Sequence, residues 1–145
     1  MFERILVVCT GNICRSPMAA ALLGHNLASH NPAVEVQSAG LAALLGYPAD
    51  PLAQDLMRDR GIDLSNHRAQ QLTPAMVMDA DVVLAMETAQ VKTIESMFPG
   101  ARGRVHRLGK AGAFDVPDPY GGPRDAFVQA LDLIEQGLAD WQRRL

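Results

Sequence analysis

Cysteine is nearly absent from this chain. The two present, Cys9 and Cys14, sit five positions apart on what reads as one loop. A staple that short would restrain little unfolded chain, so a disulfide framework is excluded. An excess of basic charge is missing too: 13 Lys and Arg face 16 Asp and Glu, a formal net charge of −3. Without a positive footprint, nucleic acid is not an expected partner. No apolar run approaches the ~20 residues of a membrane span. Glu3 and Arg4 precede the first short apolar run, which is not a secretion pattern. The four histidines, His25, His30, His67 and His106, fall at no ligand spacing, so neither metal nor other cofactor is expected. Repeats, low-complexity tracts and linkers are lacking as well. What remains is a reduced, cytoplasmic protein whose 145 residues, 48% hydrophobic, suit a single domain over 1–145.

What is present is concentrated at the start. Ile5-Leu6-Val7-Val8 reads as a buried strand that delivers Cys9 at its end. Ser16-Pro17 reads as an N-cap followed by proline at the first helical position. Thr10, Gly11, Asn12, Ile13, Cys14 and Arg15 must then wrap in one turn around the front of that helix. Inward-pointing amides and the helix dipole make such a turn a cradle for a dianion. Gly11 and Asn12 are the residue types that most easily take the unusual backbone angles required. Cys9 lies at the floor, and Arg15 can close over bound oxygens with a bidentate fork. A helix N-terminus and an adjacent guanidinium favour the thiolate, and the Ser16 hydroxyl can donate toward it. A cysteine ending a core strand is usually a small apolar filler; the Cys-x5-Arg-Ser frame argues for a nucleophile.

Further along, Met18 to Ser29 has a helical apolar face, and Val34 to Ser38 alternates as a second strand. Asp50-Pro51 and Thr73-Pro74 are helix starts. Val82 to Met86 is a continuous apolar run, hence a central parallel strand. Thr88 to Phe98 reads as a helix, Arg104 to Leu108 as an edge strand, and Gly109 to Gly122 as a loop. Pro123 to Arg143 is a long helix with Phe127, Leu131, Ile134, Leu138 and Trp141 on one face. Alternating strands and helices predict an α/β three-layer sandwich around a parallel sheet. Ligands bind beyond the carboxyl ends of such strands, which brings the loop after Leu108 toward Cys9.

Cys9-Thr10-Gly11-Asn12-Ile13-Cys14-Arg15-Ser16-Pro17 and Asp118-Pro119-Tyr120 together resemble the phosphate loop and acid motif of low-molecular-weight protein tyrosine phosphatases. The resemblance covers nearly the whole chain. It implies a four-stranded flavodoxin-like sheet in the order 2-1-3-4 and a monomer. Cys9 would attack phosphorus to give a phosphocysteine, with Asp118 protonating the leaving phenolate and then activating water. Asp115, three residues earlier, is the rival acid. Leu44 and Tyr120 would wall a flat substrate ring. Asn12 and Ser38 resemble a pair that holds the loop in shape, and His67 and Glu87 a pair that supports Ser16. Cys14 could trap an oxidised Cys9 as a reversible disulfide. Ser38-Ala39-Gly40-Leu41-Ala42-Ala43-Leu44 resembles the bacterial branch that partners tyrosine kinases of exopolysaccharide export, which implies such a kinase as phosphorylated substrate.

Rival functions fare worse. Thioredoxin-coupled arsenate reductases resemble this fold but use two further cysteines, and none follows Cys14. Arginine phosphatases of the family tend to carry Thr where Ile13 stands. A non-catalytic phosphate-binding module would have lost the thiol or the acid. The loop does not match the Walker pattern.

Overall fold

The computed structural model describes residues 2–145. Its strands are β1 (Arg4–Cys9), β2 (Glu35–Gly40), β3 (Val82–Ala85) and β4 (Val105–Arg107), all parallel, in the order β2-β1-β3-β4. The expected topology is therefore present. The central strand β1 is apolar on both faces. Ile5, Val7 and Cys9 point into one layer, and Leu6 and Val8 into the other. In register, Val7 stands beside Ser38 and Leu84, and Cys9 beside Gly40.

Helices α1 (Arg15–Leu27), α2 (Pro51–Arg58) and α5 (Arg124–Gln142) cover the first face; α3 (Pro74–Asp79) and α4 (Thr88–Met97) cover the second. The α5 stripe of Phe127, Leu131, Ile134, Leu138 and Trp141 is buried as its spacing predicts. Each such side chain is worth roughly 1.5–3 kcal/mol relative to exposure. Trp141 also satisfies its indole N–H on Leu108 O at 3.0 Å, pinning the end of α5 beside the segment that leaves β4.

Two of the three predicted proline starts hold. Asp50 accepts from Leu52 N at 2.9 Å ahead of Pro51, and Thr73 accepts from Met76 N at 3.3 Å ahead of Pro74. The third does not. Helix α1 begins at Arg15 with Cys14 at the cap position and no side-chain cap, so Pro17 lies inside the first turn and Ser16 is not the N-cap. Pro17 is tolerated there because first-turn N–H groups have no intrahelical acceptor to lose. The helix also stops at Leu27, short of Ser29. The ends of β1, β2, β3 and β4 place Cys9, Gly40, Ala85 and Arg107 at one edge of the sheet.

Candidate active site

The turn from Cys9 to Cys14 turns its backbone inside out. Each of its carbonyls is engaged from outside. Leu41 N donates to Cys9 O (3.0 Å), Ala42 N to Thr10 O (2.9 Å) and Leu44 N to Gly11 O (3.0 Å). Asn12 O is held by His67 Nε2 at 2.7 Å, Ile13 O by Asp50 N at 2.8 Å and Cys14 O by Met18 N at 3.3 Å. With the carbonyls taken, the amides of Gly11, Asn12, Ile13 and Cys14 are left without a protein acceptor among the described residues. A concave row of free N–H groups at a helix N-terminus is a site for an anion.

Asn12 carries the strain. Its φ of 59° is left-handed, whereas Gly11 stays outside that region, so the two residues do not share the role the sequence suggested. The Asn12 side chain repays its own backbone: Oδ1 accepts from Gln70 N at 2.9 Å, which fixes the amide orientation. Nδ2 must then face the other way, and it donates to Ser38 Oγ at 3.0 Å and to Ser16 Oγ at 2.8 Å. Ser16 Oγ, which accepts from Asn12, also lies 2.9 Å from Cys9 Sγ, where its own hydrogen is free to be donated to a thiolate. An O–H aimed at sulfur beneath a helix N-terminus stabilises the thiolate. Ser16 thus engages the Cys9 sulfur rather than the helix end.

Arg15 is 1% exposed. Its guanidinium donates to Glu87 Oε2 and to Val116 O (2.8 Å), and lies 3.8 Å from Asp118 Oδ2. Glu87 therefore holds Arg15, and His67 holds the Asn12 carbonyl; the two do not form a pair on Ser16. They reach the loop from different elements, a relation their spacing in the chain does not reveal. Asp118 is half exposed and accepts from Tyr120 N at 3.1 Å. The rival Asp115 is occupied: Thr88 N, Thr88 Oγ1 and Arg107 all donate to its Oδ1. Although burial works to raise it, these bonds hold the Asp115 carboxyl below its ordinary range.

Cys9, Thr10, Gly11, Ile13, Cys14, Arg15, Leu44, Asp118 and Tyr120, with Ala42, line one cleft of about 190 Å³. Sulfur and carboxyl thus share a space suited to a single ester. Burial, and after it the charges of Asp50, Cys9 and Asp118, push the Cys14 thiol up. A protonated thiol is a poor attacker of an oxidised neighbour.

Sequence reasoning missed four contributors. Gln90, 5% exposed, donates from Nε2 to Thr10 Oγ1 at 3.1 Å and accepts from Met86 N and Glu87 N. Its signal was a polar residue one turn before inward-facing Ile94. Gln70 braces Asn12 and Ser38. Gly40 has no room for a side chain, since a Cβ would stand 2.6 Å from Thr10 O. Val116 bonds to Arg15 and Met86 through its backbone while its side chain is buried in the core. Nothing local in the chain marks these last three.

Comparison with known proteins agrees with this geometry. Residues 4–145 match the model of the low molecular weight phosphotyrosine protein phosphatase family. The probable low molecular weight protein-tyrosine-phosphatase EpsP of Ralstonia nicotianae is 51% identical over 145 residues, covering 100% of this chain and 97% of its own. Vibrio vulnificus Wzb in complex with benzylphosphonate superposes with a TM-score of 0.93 at 39% identity, with 100% of both chains covered. The YwlE arginine phosphatase from Geobacillus stearothermophilus follows with a TM-score of 0.85 at 38% identity, over 98% of this chain and 94% of its own. Sheet order, phosphate cradle and full-length similarity to phosphatases converge: this chain belongs to the low molecular weight phosphotyrosine protein phosphatase family.

Proposed function

We propose that this chain, acting as one monomeric domain in the cytoplasm, hydrolyses phosphotyrosine on a protein through a phosphocysteine at Cys9. The observation that carries the reading is the Ser16-supported Cys9 sulfur under a row of free amides, in one cleft with Asp118. Cys9 Sγ forms a bond to phosphorus as the bond to the phenolic oxygen breaks in line. The equatorial oxygens take up charge where the loop amides and Arg15 await it. The departing phenolate, near pKa ~10, takes the Asp118 proton. The Asp118 carboxylate then removes a proton from water, which attacks phosphorus, frees inorganic phosphate and returns the thiolate. Leu44 and Tyr120 flank the ring.

The substrate we favour is an autophosphorylated bacterial tyrosine kinase of capsule or exopolysaccharide export. The Ser38-to-Leu44 stretch and the similarity to EpsP support it. A second reading, arginine phosphatase, has the YwlE similarity behind it. Against it stands Ile13, buried and apolar on the cleft wall, with no polar atom for a guanidinium. Matched peptides bearing phosphotyrosine or phosphoarginine decide between them. The proposal requires the former to be cleaved at much higher kcat/KM, and preference for phosphoarginine would refute it.

A further inference from the structure

The loop that carries Asp118 is fastened at one place. From Ala111 to Asp118, hydrogen bonds to other elements come from two adjacent residues, among the described residues. Val116 gives its N–H to Met86 O at 2.9 Å and its carbonyl to Arg15. Asp115 takes three donors on Oδ1: Thr88 N at 3.1 Å, Thr88 Oγ1 at 3.1 Å and an Arg107 guanidinium N–H at 3.0 Å. Thr88 opens α4 and Arg107 closes β4. One carboxylate therefore joins the acid loop to a helix start and a strand end. The Thr88 amide is one of the orphan donors of α4, and the helix dipole favours an anion beside it.

Asp118 is held more loosely: among the described residues its one charged partner outside the loop is the Arg15 guanidinium, at 3.8 Å. Its side-chain hydrogen bond is to Tyr120 N, two residues away in the same loop. Its place in the Cys9 cleft therefore depends, besides Arg15, on Asp115 and Val116, three and two residues before it. Val116, its side chain buried in the core, fixes the loop at one point, and Asp115 adds a polar attachment beside it.

We propose that Asp115 is a positioning residue of the phosphatase reaction, its carboxylate latching the acid loop to Thr88 and Arg107 and so setting where Asp118 delivers its proton. The inference rests on Asp118 being the general acid. Hydrogen bonds keep the Asp115 carboxyl ionised well into the acid range, so the latch stays closed at neutral pH.

The test uses kcat/KM, which reports formation of the phosphocysteine, on two esters. Phenyl phosphate leaves as a strong base and needs the proton; p-nitrophenyl phosphate leaves as a stabilised anion and needs it little. Asp115→Ala is expected to lower kcat/KM for phenyl phosphate about tenfold, since small displacements of a catalytic group are costly. The loss on p-nitrophenyl phosphate should stay under about twofold. Inhibition by inorganic phosphate, which reads the Cys9 loop, should not change. Asp115→Glu should recover part of the loss, and Thr88→Val should show the same bias more weakly. If Asp115→Ala does not fold, the Thr88→Val ratio decides. Equal losses on both esters, or none on either, overturn the latch. Asp118→Asn separates the two claims: if it shows the leaving-group bias and the latch variants do not, the latch alone falls. If Asp118→Asn shows no bias, the acid assignment falls and the latch with it.

Discussion

The two halves of this catalytic site are built in opposite ways. From Cys9 to Ser16 the chain is mostly buried, Thr10 excepted, and its carbonyls and polar side chains are partnered by β2 and the segment after it, by Asp50 ahead of α2, by His67 and Gln70, and by Glu87, Gln90 and Val116. The acid loop is largely exposed, contains a left-handed Ala113 (φ 55°), and presents Asp118 half in solvent. The difference fits the chemistry proposed for each half. Stabilising an oxyanion requires dipoles fixed before the reaction, because their reorganisation would consume the benefit. A proton donor has to let a bulky phosphoprotein in and its product out, so it belongs on a surface segment held by few bonds.

The largest effect is expected in the buried half. Cys9→Ser should lose on the order of 10⁴-fold or more in kcat/KM on p-nitrophenyl phosphate, since the reaction has no other nucleophile. Steady-state assays of the folded variant check this. In the exposed half, Asp118→Asn should cost roughly 10²–10³-fold on a phosphotyrosine peptide, the usual worth of a general acid. The same substitution should leave the melting temperature nearly unchanged. Gly40→Ala reverses that pattern. Its methyl group would sit 2.6 Å from Thr10 O, and relieving that overlap should cost about 1–3 kcal/mol of stability. Thermal melts should show this together with weaker phosphate inhibition; a melt equal to wild type would mean the loop is softer than its contacts imply.

Smaller effects are expected at the cleft wall and in the acid loop. Ile13→Thr should raise phosphoarginine cleavage relative to phosphotyrosine severalfold, measured as a ratio of kcat/KM on matched peptides. The least effect concerns acid stability. The Asp115 carboxyl titrates lower in the folded chain than in the unfolded one. Its contribution is therefore complete above the unfolded carboxylate range and is lost as pH falls through the lower folded value. Asp115→Asn should flatten that part of the stability profile and leave neutral pH little altered, as denaturant melts from pH 7 to pH 2.5 would read. Being largely exposed, the group is screened and the effect is small.

How much of this was legible in the chain follows the same division. Cys9, Arg15 and the turn between them are contiguous, so strand, loop and helix could be read off neighbouring residues. Asp118 came from an Asp-Pro-Tyr motif whose meaning depended on the Cys9 motif far away. Ser16 was half read: its hydroxyl does face Cys9 as expected, but the serine before a proline, an ordinary signature of a helix start, is not the cap here, since that hydroxyl is claimed by Cys9 and Asn12. Asn12 and Ser38 were paired correctly. His67 and Glu87 were found, but their partners, Asn12 O and Arg15, are set by tertiary contacts. Gln70 meets Asn12 and Val116 meets Arg15 through backbone atoms that every residue possesses, and the Gln70 side chain finds Ser38 O only in the folded chain.

The central claim is that Cys9 becomes covalently phosphorylated while Asp118 waits opposite. Acid-quenching the enzyme during turnover of a phosphotyrosine peptide, followed by mass spectrometry of its proteolytic fragments, reads this directly. One phosphoryl group on the fragment containing Cys9, absent in Cys9→Ser, is the predicted result. A phosphoryl group on any other residue, or turnover without a phosphoenzyme in the wild type, would contradict it.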